Sequence, residues 1–155
     1  MLSYTQPPPL TEDEIDTFLK EQKIAKICSL NKDGTIHVTA VWFLYKNGLI
    51  IMVTPAATRK VRNMIRNASV TVFVDDPEKA SGVLIFGKAK LEYKYSFRDA
   101  TSLYEKYMSL RQAARYAREI LNVSKGGAVM ITVRPEHIVS FDKTKDMTLK
   151  IDVQE

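Results

Sequence analysis

The segment VWFLYKNGLIIMVTPAATRKVRN, residues 41–63, combines a tight turn with the start of a basic helix. Apolar runs at 41–45 and 49–54 flank Asn47-Gly48, and Asn-Gly is a strong hairpin signal because both residues tolerate positive φ. Pro55 ends the second run, and Thr58 has a side chain suited to capping a helix. The segment therefore predicts an antiparallel hairpin that leads into a short helix.

The rest of the chain adds strands and helices on both sides of this hairpin. Thr11 and Glu14 match a capping box, which predicts a helix from Glu12 to about Gln22. Apolar periodicity and turn residues predict strands at 24–30, 35–45, 49–54, 69–74, 83–93, 128–133 and 137–141, a short helix at 58–66 and one long helix at 96–121. We predict one α+β, barrel-like domain at 11–142, with an N-terminal extended segment at 1–10 and a C-terminal extension at 143–155.

Composition is typical of a small globular protein from a reducing compartment. The 155 residues are 45% hydrophobic and 26% charged, which suits one compact domain. Cys28 is the only cysteine, so no intrachain disulfide can form. The N-terminus lacks the features of a secretory signal, and no apolar stretch approaches the roughly 20 residues that span a membrane. We expect a soluble, cytoplasmic protein that does not engage membranes.

The formal net charge of +5 comes from one part of the chain. No Asp or Glu occurs from Gly34 through Val74, and the other parts of the chain hold 18 basic and 18 acidic residues. The five basic residues of the acid-free stretch are Lys46, Arg59, Lys60, Arg62 and Arg66. Such a local field favours an anionic partner, which could be a phosphate, a nucleic acid or an acidic protein.

Thr58, Arg59 and Lys60 are the best candidates for an anion site. A hydroxyl and two cations at a helix start join the free backbone N–H groups and the positive end of the helix dipole. The alternative is a solvated basic helix face.

Trp42 lies in the neighbouring apolar strand. It could line an aromatic pocket that ends at these cations and binds a flat ring with a phosphate tail, or it could be a core residue.

Other kinds of site find little support in the sequence. His37 and His137 are the only histidines and lie far apart in the chain, with no Cys or carboxylate at ligand spacing, so we predict no metal site. There is no Ser-His-Asp set, no Walker loop and no GxGxxG motif.

A series of short motifs resembles the pyridoxamine-phosphate-oxidase-like family, the flavin-binding split β-barrels, over about residues 11–142. The motifs are Asp33-Gly34, His37-Val38-Thr39, Val41-Trp42-Phe43, Thr58-Arg59-Lys60-Val61-Arg62-Asn63, Val74-Asp75-Asp76, Gly87-Lys88-Ala89-Lys90-Leu91 and Arg134-Pro135-Glu136. The Trp-Phe and Arg-Lys-Val-Arg-Asn forms are most similar to the subgroup that includes enzymes using coenzyme F-420, a 5-deazaflavin hydride carrier. The resemblance implies a split β-barrel of about six to seven mostly antiparallel strands, with short helices and one long helix.

The resemblance also implies a cofactor site. Main-chain groups of the second strand would bind the isoalloxazine ring, and these belong to Thr39, Ala40, Val41, Trp42 and Phe43. The end of the strand after the hairpin would add Val53 and Thr54, and the cofactor phosphate would contact Thr58, Arg59 and Lys60, with Asn63 completing the set. Many relatives have Pro at the position of Ala40. The Arg-x-His pattern of pyridoxamine phosphate oxidases proper does not occur after Gly127, so oxidation of vitamin B6 is not expected.

These observations lead to a hypothesis with two rivals. The leading one is a homodimeric oxidoreductase that binds FMN, or alternatively coenzyme F-420, at the dimer interface and acts on a small-molecule substrate, with no side chain as nucleophile. A flavin carrier without turnover is the second. A nucleic-acid-binding domain is the third, and it is disfavoured because the basic residues cluster on one short helix and the aromatic residues lie in apolar strands.

Overall fold

A computed structural model describes residues 9–123 and 126–145. The helices are α1 (Glu12–Glu21), α2 (Arg59–Arg66), α3 (Phe97–Glu105) and α4 (Leu110–Val123), followed by a 3-10 turn at Lys143–Lys145. The strands are β1 (Ile24–Leu30), β2 (Ile36–Trp42), β3 (Leu44–Lys46), β4 (Leu49–Pro55), β5 (Ser69–Asp76), β6 (Ser81–Glu92) and β7 (Ala128–Asp142). Most of the predicted N- and C-terminal extensions lies outside these residues. Within them, no helix is long and apolar enough to cross a membrane.

The strands form one antiparallel sheet in the order β2-β1-β5-β6-β7-β4-β3. Its two edge strands, β2 and β3, are consecutive in the chain and only Phe43 separates them. The sheet must therefore curl until its edges meet at Phe43, which is fully buried. This curled half-barrel confirms the predicted α+β split barrel.

The concave side of the sheet holds the main core. Alternate strand residues point inward, as the burial of Ala25 and Ile27 on β1 and of Ile50 and Met52 on β4 shows. Leu19 of α1 belongs to the same cluster, as do Val61 and Met64 of α2. The start of α1 confirms the capping box, since the Thr11 backbone N–H donates to Glu14 Oε2 (2.7 Å) and the Glu14 N–H donates to Thr11 Oγ1 (3.2 Å).

The strand predicted at 35–45 is two strands, because the chain leaves the sheet at Phe43. The strands predicted at 128–133 and 137–141 are instead one strand, β7, with a bulge opposite Phe86 and Gly87. A Cβ atom at Gly87 would lie 2.2 Å from the carbonyl oxygen of Arg134, so only glycine fits this close approach. The loop predicted at 75–82 shrinks to 77–80, because β5 and β6 continue to pair beyond the expected ends.

The single long helix predicted at 96–121 is also wrong, since α3 ends at Glu105 and α4 begins at Leu110. Ser109 starts the second helix through a reciprocal cap: its N–H donates to Gln112 Oε1 (3.1 Å), and the Gln112 N–H donates to Ser109 Oγ (3.4 Å). The two helices pack on each other and on the convex side of β3 and β4, where Leu44, Ile51 and Val53 contact their buried residues.

Among the described residues, no helix covers the convex side of β1, of β6 near Phe86, or of β2 before Trp42, whose ring meets α3 and α4. Apolar side chains on this side are exposed, and they include Leu30, Ile36, Val38 and Phe86. We call these four residues the open sheet face. Cross-strand pairing connects them, because Leu30 is opposite Ile36, and Thr71 of β5 is opposite both Cys28 of β1 and Phe86.

Candidate functional site

The split of the barrel is a gap between two strand edges. Within residues 9–123 and 126–145, β2 pairs with β1 alone, so one of its edges is open along Ile36–Trp42. In the same part of the chain, β3 covers β4 at 49–51 and leaves that edge of β4 open at 52–55. Cα atoms of β2 and β4 approach within 8 Å of each other. Two edges with free backbone N–H and C=O groups therefore border the split, and such groups can hydrogen-bond to a further strand or to a ligand.

The residues predicted on β2 alternate between the two sides of the sheet. Thr39 and Val41 lie opposite the buried Ile27 and Ala25 and so face the concave side, whereas Ala40 and Trp42 face the convex side. The Thr39 hydroxyl is 2.9 Å from His37 Nε2. The main-chain groups of all these residues lie along the open edge, which is where the sequence analysis placed ring contacts.

The start of α2 lies just beyond the open edge of β4. Thr54 is buried near the end of that strand, Val53 is half-buried, and Thr58 occupies the N-cap position with an extended backbone (φ −97°, ψ 157°). The Thr58 side chain makes no capping bond, and its Oγ1 is buried without a hydrogen-bond partner in the described part of the chain. A buried hydroxyl without a partner is unusual and costs free energy.

Lys60 follows in the first turn of α2, and its side chain is only 8% exposed. Burial lowers the pKa of its ammonium group, because desolvation disfavours the charged form. Across residues 9–123 and 126–145 no hydrogen bond or ion pair balances this charge. Lys60 and Thr58 thus place an uncompensated donor pair beside the free N–H groups of a helix start, which is a site suited to an anion.

Arg59 differs from its neighbour Lys60. It is exposed and borders a cavity of about 290 Å³ with Arg62, Asn31 and Asp33. Hydrogen bonds from Thr35 are the main cause that lowers the pKa of Asp33, and the charge of Arg59 adds a smaller effect in the same direction. The structure therefore buries the Thr58 hydroxyl and the Lys60 side chain and leaves Arg59 at the surface.

Asn63 is buried one turn further along α2, and its amide is fully engaged. Its Nδ2 donates to Ser29 Oγ (3.1 Å) and to Asn31 Oδ1 (3.0 Å), while its Oδ1 accepts from Arg66 (3.1 Å). These bonds hold α2 against β1 and its following turn. Asn63 consequently orients the helix that carries Thr58 and Lys60.

Trp42 lies in an aromatic cluster on the convex side. Its ring stacks on Tyr107 (centroids 4.6 Å apart, 14° between planes) and also contacts Tyr116 (5.7 Å) and Tyr104 (6.3 Å). The residue is 37% exposed, so Trp42 is a partly exposed aromatic residue at the end of β2.

Tyr107 falls within the single long helix that the sequence predicted at 96–121, and no sequence motif indicated its place beside the split. Tyr107 lies in the turn between α3 and α4, next to Lys106, whose Nζ donates to the carbonyl oxygen of Phe43 (3.3 Å) and lies 3.8 Å from the centre of the Phe43 ring. Ser109 and Gln112 have the spacing of a capping box, and this signal could have revealed the turn. Tyr107 and Lys106 together fix the backbone of Phe43, where the chain passes from one edge of the sheet to the other.

The chain matches the family described as Pyridoxamine 5'-phosphate oxidase over residues 11–138. No curated protein matches it significantly. It is similar to the crystal structure of the conserved hypothetical protein Rv2991 from Mycobacterium tuberculosis, with a TM-score of 0.76, 21% identity, and coverage of 94% of this chain and 92% of that one.

Two further solved structures share the fold. One is described as an F420 reductase (TM-score 0.62, 19% identity, 79% of this chain and 94% of that one). The other is a putative pyridoxamine 5'-phosphate oxidase from Listeria innocua (TM-score 0.62, 21% identity, 83% and 96%). With the family match covering most of the chain and the same curled barrel present, this protein belongs to the pyridoxamine 5'-phosphate oxidase family of split β-barrels.

Proposed function

We propose that this protein binds FMN in the split of its barrel and, as a homodimer, transfers hydride or electrons between the flavin and a small-molecule substrate. The observation that carries the proposal is the buried pair at the start of α2, the Thr58 hydroxyl and the Lys60 side chain, which have no partner in the described residues. A phosphate would accept hydrogen bonds from both groups and from the helix N–H groups. The pair thus fits the phosphate of a flavin nucleotide.

The open strand edges suit the ring of the same ligand. An isoalloxazine ring carries its own C=O and N–H groups along one edge, and Thr39, Ala40, Val41, Trp42 and Phe43 offer main-chain partners along β2. Val53 and Thr54 border the opposite side of the split. The order along the split, with strand edges first and cations at the end, matches a flat ring followed by a phosphate tail.

When bound, the flavin would supply the hydride or electron transfer. The residues of this chain would bind the phosphate, orient the ring and keep water from one of its sides. We propose no side chain as nucleophile or general base.

The homodimer is proposed from the open sheet face. Ile36 is 68% exposed and Val38 is 55% exposed, and both lie on the edge strand β2 opposite Leu30 and Cys28 of β1. Contiguous apolar surface of this kind is typical of an interface. A second copy on this face would lie beside β2 and so beside the split.

We also propose that the protein is cytoplasmic, where its lone Cys28 would stay reduced.

Coenzyme F-420 is the alternative cofactor. Its deazaflavin ring and phosphate have the same layout, and one structural neighbour is described as an F420 reductase. The absorbance spectrum of freshly purified protein, and parallel titrations with FMN and coenzyme F-420, distinguish the two.

The phosphate assignment is tested by titrating FMN into the wild type, Lys60→Met and Lys79→Met while following flavin fluorescence. Lys79 lies in the exposed turn before β6, so its variant removes one charge without touching the split. We expect Lys60→Met to weaken FMN binding by about ten- to 150-fold, the worth of one charge-assisted hydrogen bond, and Lys79→Met to leave it unchanged. Equal affinity in all three proteins would contradict the assignment.

Turnover separates an oxidoreductase from a flavin carrier. The bound flavin is reduced with a nicotinamide donor and then reoxidised with an acceptor dye, and both steps are followed by absorbance. An oxidoreductase shows repeated cycles. Tight FMN binding with no cycle for any donor and acceptor pair would support the carrier instead.

A further inference from the structure

A second cavity lies on the convex side of the sheet, away from the split. Its volume is about 490 Å³, and α3 closes one end of it. The floor of the cavity is formed by four neighbouring strands, β3, β4, β7 and β6. Cross-strand pairs show their alignment: Lys46 lies opposite Leu49, Leu44 opposite Ile51, and Arg134 opposite Lys88. This volume is within the range of pockets that hold small molecules.

The floor of the cavity is largely apolar. Leu44, Leu49, Ile51 and Met130 line it, with the polar Thr132 between Ile51 and Lys90. Leu49 and Ile51 are only half-buried although they lie in the middle of the four-strand surface. An apolar ligand body on this floor would remove their remaining surface from water, which is favourable.

The rim of the cavity is basic. Four cations line it, Lys46, Lys88, Lys90 and Arg134, together with two acids, Glu92 and Asp99. Both acids already have partners, because Glu92 pairs with Lys90 (2.9 Å) and Asp99 accepts from the Ser96 hydroxyl (2.6 Å).

The four cations differ in their interaction partners. Lys88 donates to Ser69 Oγ (2.5 Å), and Lys90 forms an ion pair with Glu92. Lys46 and Arg134 make no side-chain hydrogen bond or ion pair within residues 9–123 and 126–145. They flank Leu49 in one row across the sheet, so two solvent-exposed cations without a partner in the described residues lie at the edge of this floor.

We propose that this cavity is a second ligand site, which binds an organic monocarboxylate with an apolar body. The carboxylate would lie between Lys46 and Arg134, because the guanidinium group matches the two oxygens of a carboxylate and the lysine adds a second charge. The apolar body would cover Leu49, Ile51 and Met130. The site does not depend on the flavin proposal, since β3 and the paired half of β4 separate it from the split.

The proposal is tested with octanoate as the probe and the protein as purified, labelled with ¹³C at its methionine methyl groups. Met130 lines the cavity, whereas Met64 is buried in the main core. We expect octanoate to shift the Met130 signal in a saturable way and to leave the Met64 signal in place. Octylamine, which has the same apolar body and the opposite charge, should not shift Met130.

Variants locate the carboxylate. We expect Arg134→Gln and Lys46→Gln each to weaken octanoate binding by about tenfold, as the loss of one charge-assisted hydrogen bond implies. Arg111→Gln removes one charge from the exposed start of α4 and should bind like the wild type. The proposal is overturned if Met130 does not respond to octanoate, if octylamine binds equally well, or if all three variants retain the wild-type affinity.

Discussion

The phenolic oxygen of Tyr107 lies 2.7 Å from the backbone nitrogen of Phe43 and 2.7 Å from its carbonyl oxygen. Phe43 is the residue at which the chain leaves one edge of the sheet and begins the other, so no strand neighbour is available to it there. The Tyr107 hydroxyl replaces that neighbour by accepting from the N–H group and donating to the carbonyl oxygen. A residue 64 positions away in the chain thus satisfies the backbone where the barrel opens.

Tyr107→Phe is expected to lower the free energy of unfolding by about 1 to 3 kcal/mol. It keeps the ring that stacks on Trp42, but it leaves the Phe43 N–H without a partner and the Phe43 carbonyl oxygen with only the longer bond from Lys106. Tyr116→Phe is the matched control, since Tyr116 contributes ring contacts to the same cluster. It should change stability by less than about 0.5 kcal/mol. Urea unfolding measures both, and equal losses would show that the hydroxyl bond at Phe43 does not matter.

Lys106 predicts a dependence of stability on pH. Burial, with a smaller contribution from the nearby Lys23, lowers the pKa of Lys106 from 10.5 to about 8. Between these values the unfolded chain holds a proton that the folded chain has lost, so stability should rise as pH increases from about 8 towards 10. Burial raises the pKa of Tyr107 to about 12, so stability should fall again once unfolded tyrosines ionise above about pH 10.

The variant Lys106→Met should reduce this rise, which we expect to be about 1 to 2 kcal/mol after allowance for partial solvent screening. The lowered pKa of Lys60 acts in the same direction, so part of the rise remains in the variant. Lys94→Met, at an exposed position, is the control. The measurement is urea unfolding at pH 7.5, 8.5 and 9.5, and an identical pH slope in Lys106→Met and the wild type would contradict the prediction.

Thr58→Val is expected to weaken cofactor binding without lowering the stability of the cofactor-free protein. The variant removes a buried hydroxyl without a hydrogen-bond partner, so the free energy of unfolding without cofactor should stay the same or rise by up to about 1 kcal/mol. Binding of FMN should weaken by about five- to tenfold, because the phosphate loses one donor. Thermal melts with and without FMN test both effects. A large loss of stability without FMN would show that the hydroxyl has a structural role.

Ile36→Lys is expected to convert the proposed dimer into a monomer of 17.6 kDa. Two added charges in an apolar interface would lie close together and lose their hydration. Leu110→Lys introduces the same change at a residue that is 64% exposed, compared with 68% for Ile36, and lies on α4 away from the open sheet face. Sedimentation should show a dimer for the wild type and Leu110→Lys. A dimer in all three proteins would place the interface elsewhere.

Local sequence signals determined several elements of this protein. The Asn47-Gly48 turn, with Asn47 at φ 53° and Gly48 at φ 73°, forms the predicted hairpin, and Thr11 with Glu14 forms the predicted cap. The helix after Thr58 begins where the sequence indicated. These features depend on residues within about four positions of one another, so backbone preferences and short-range hydrogen bonds are sufficient to specify them.

Tertiary structure alone decided the features that depend on distant residues. Arg59 and Lys60 are adjacent cations in the sequence, yet packing of α2 on β1 buries one and leaves the other at the surface. The predicted cofactor contact of Asn63 is untested, and only the folded chain shows that its amide bonds to Ser29 and Asn31, more than 30 positions earlier. The break at Phe43 likewise follows from closure of the sheet and from the Tyr107 hydroxyl. Burial and long-range hydrogen bonds arise only when distant segments meet, so periodicity and local propensity carry no record of them.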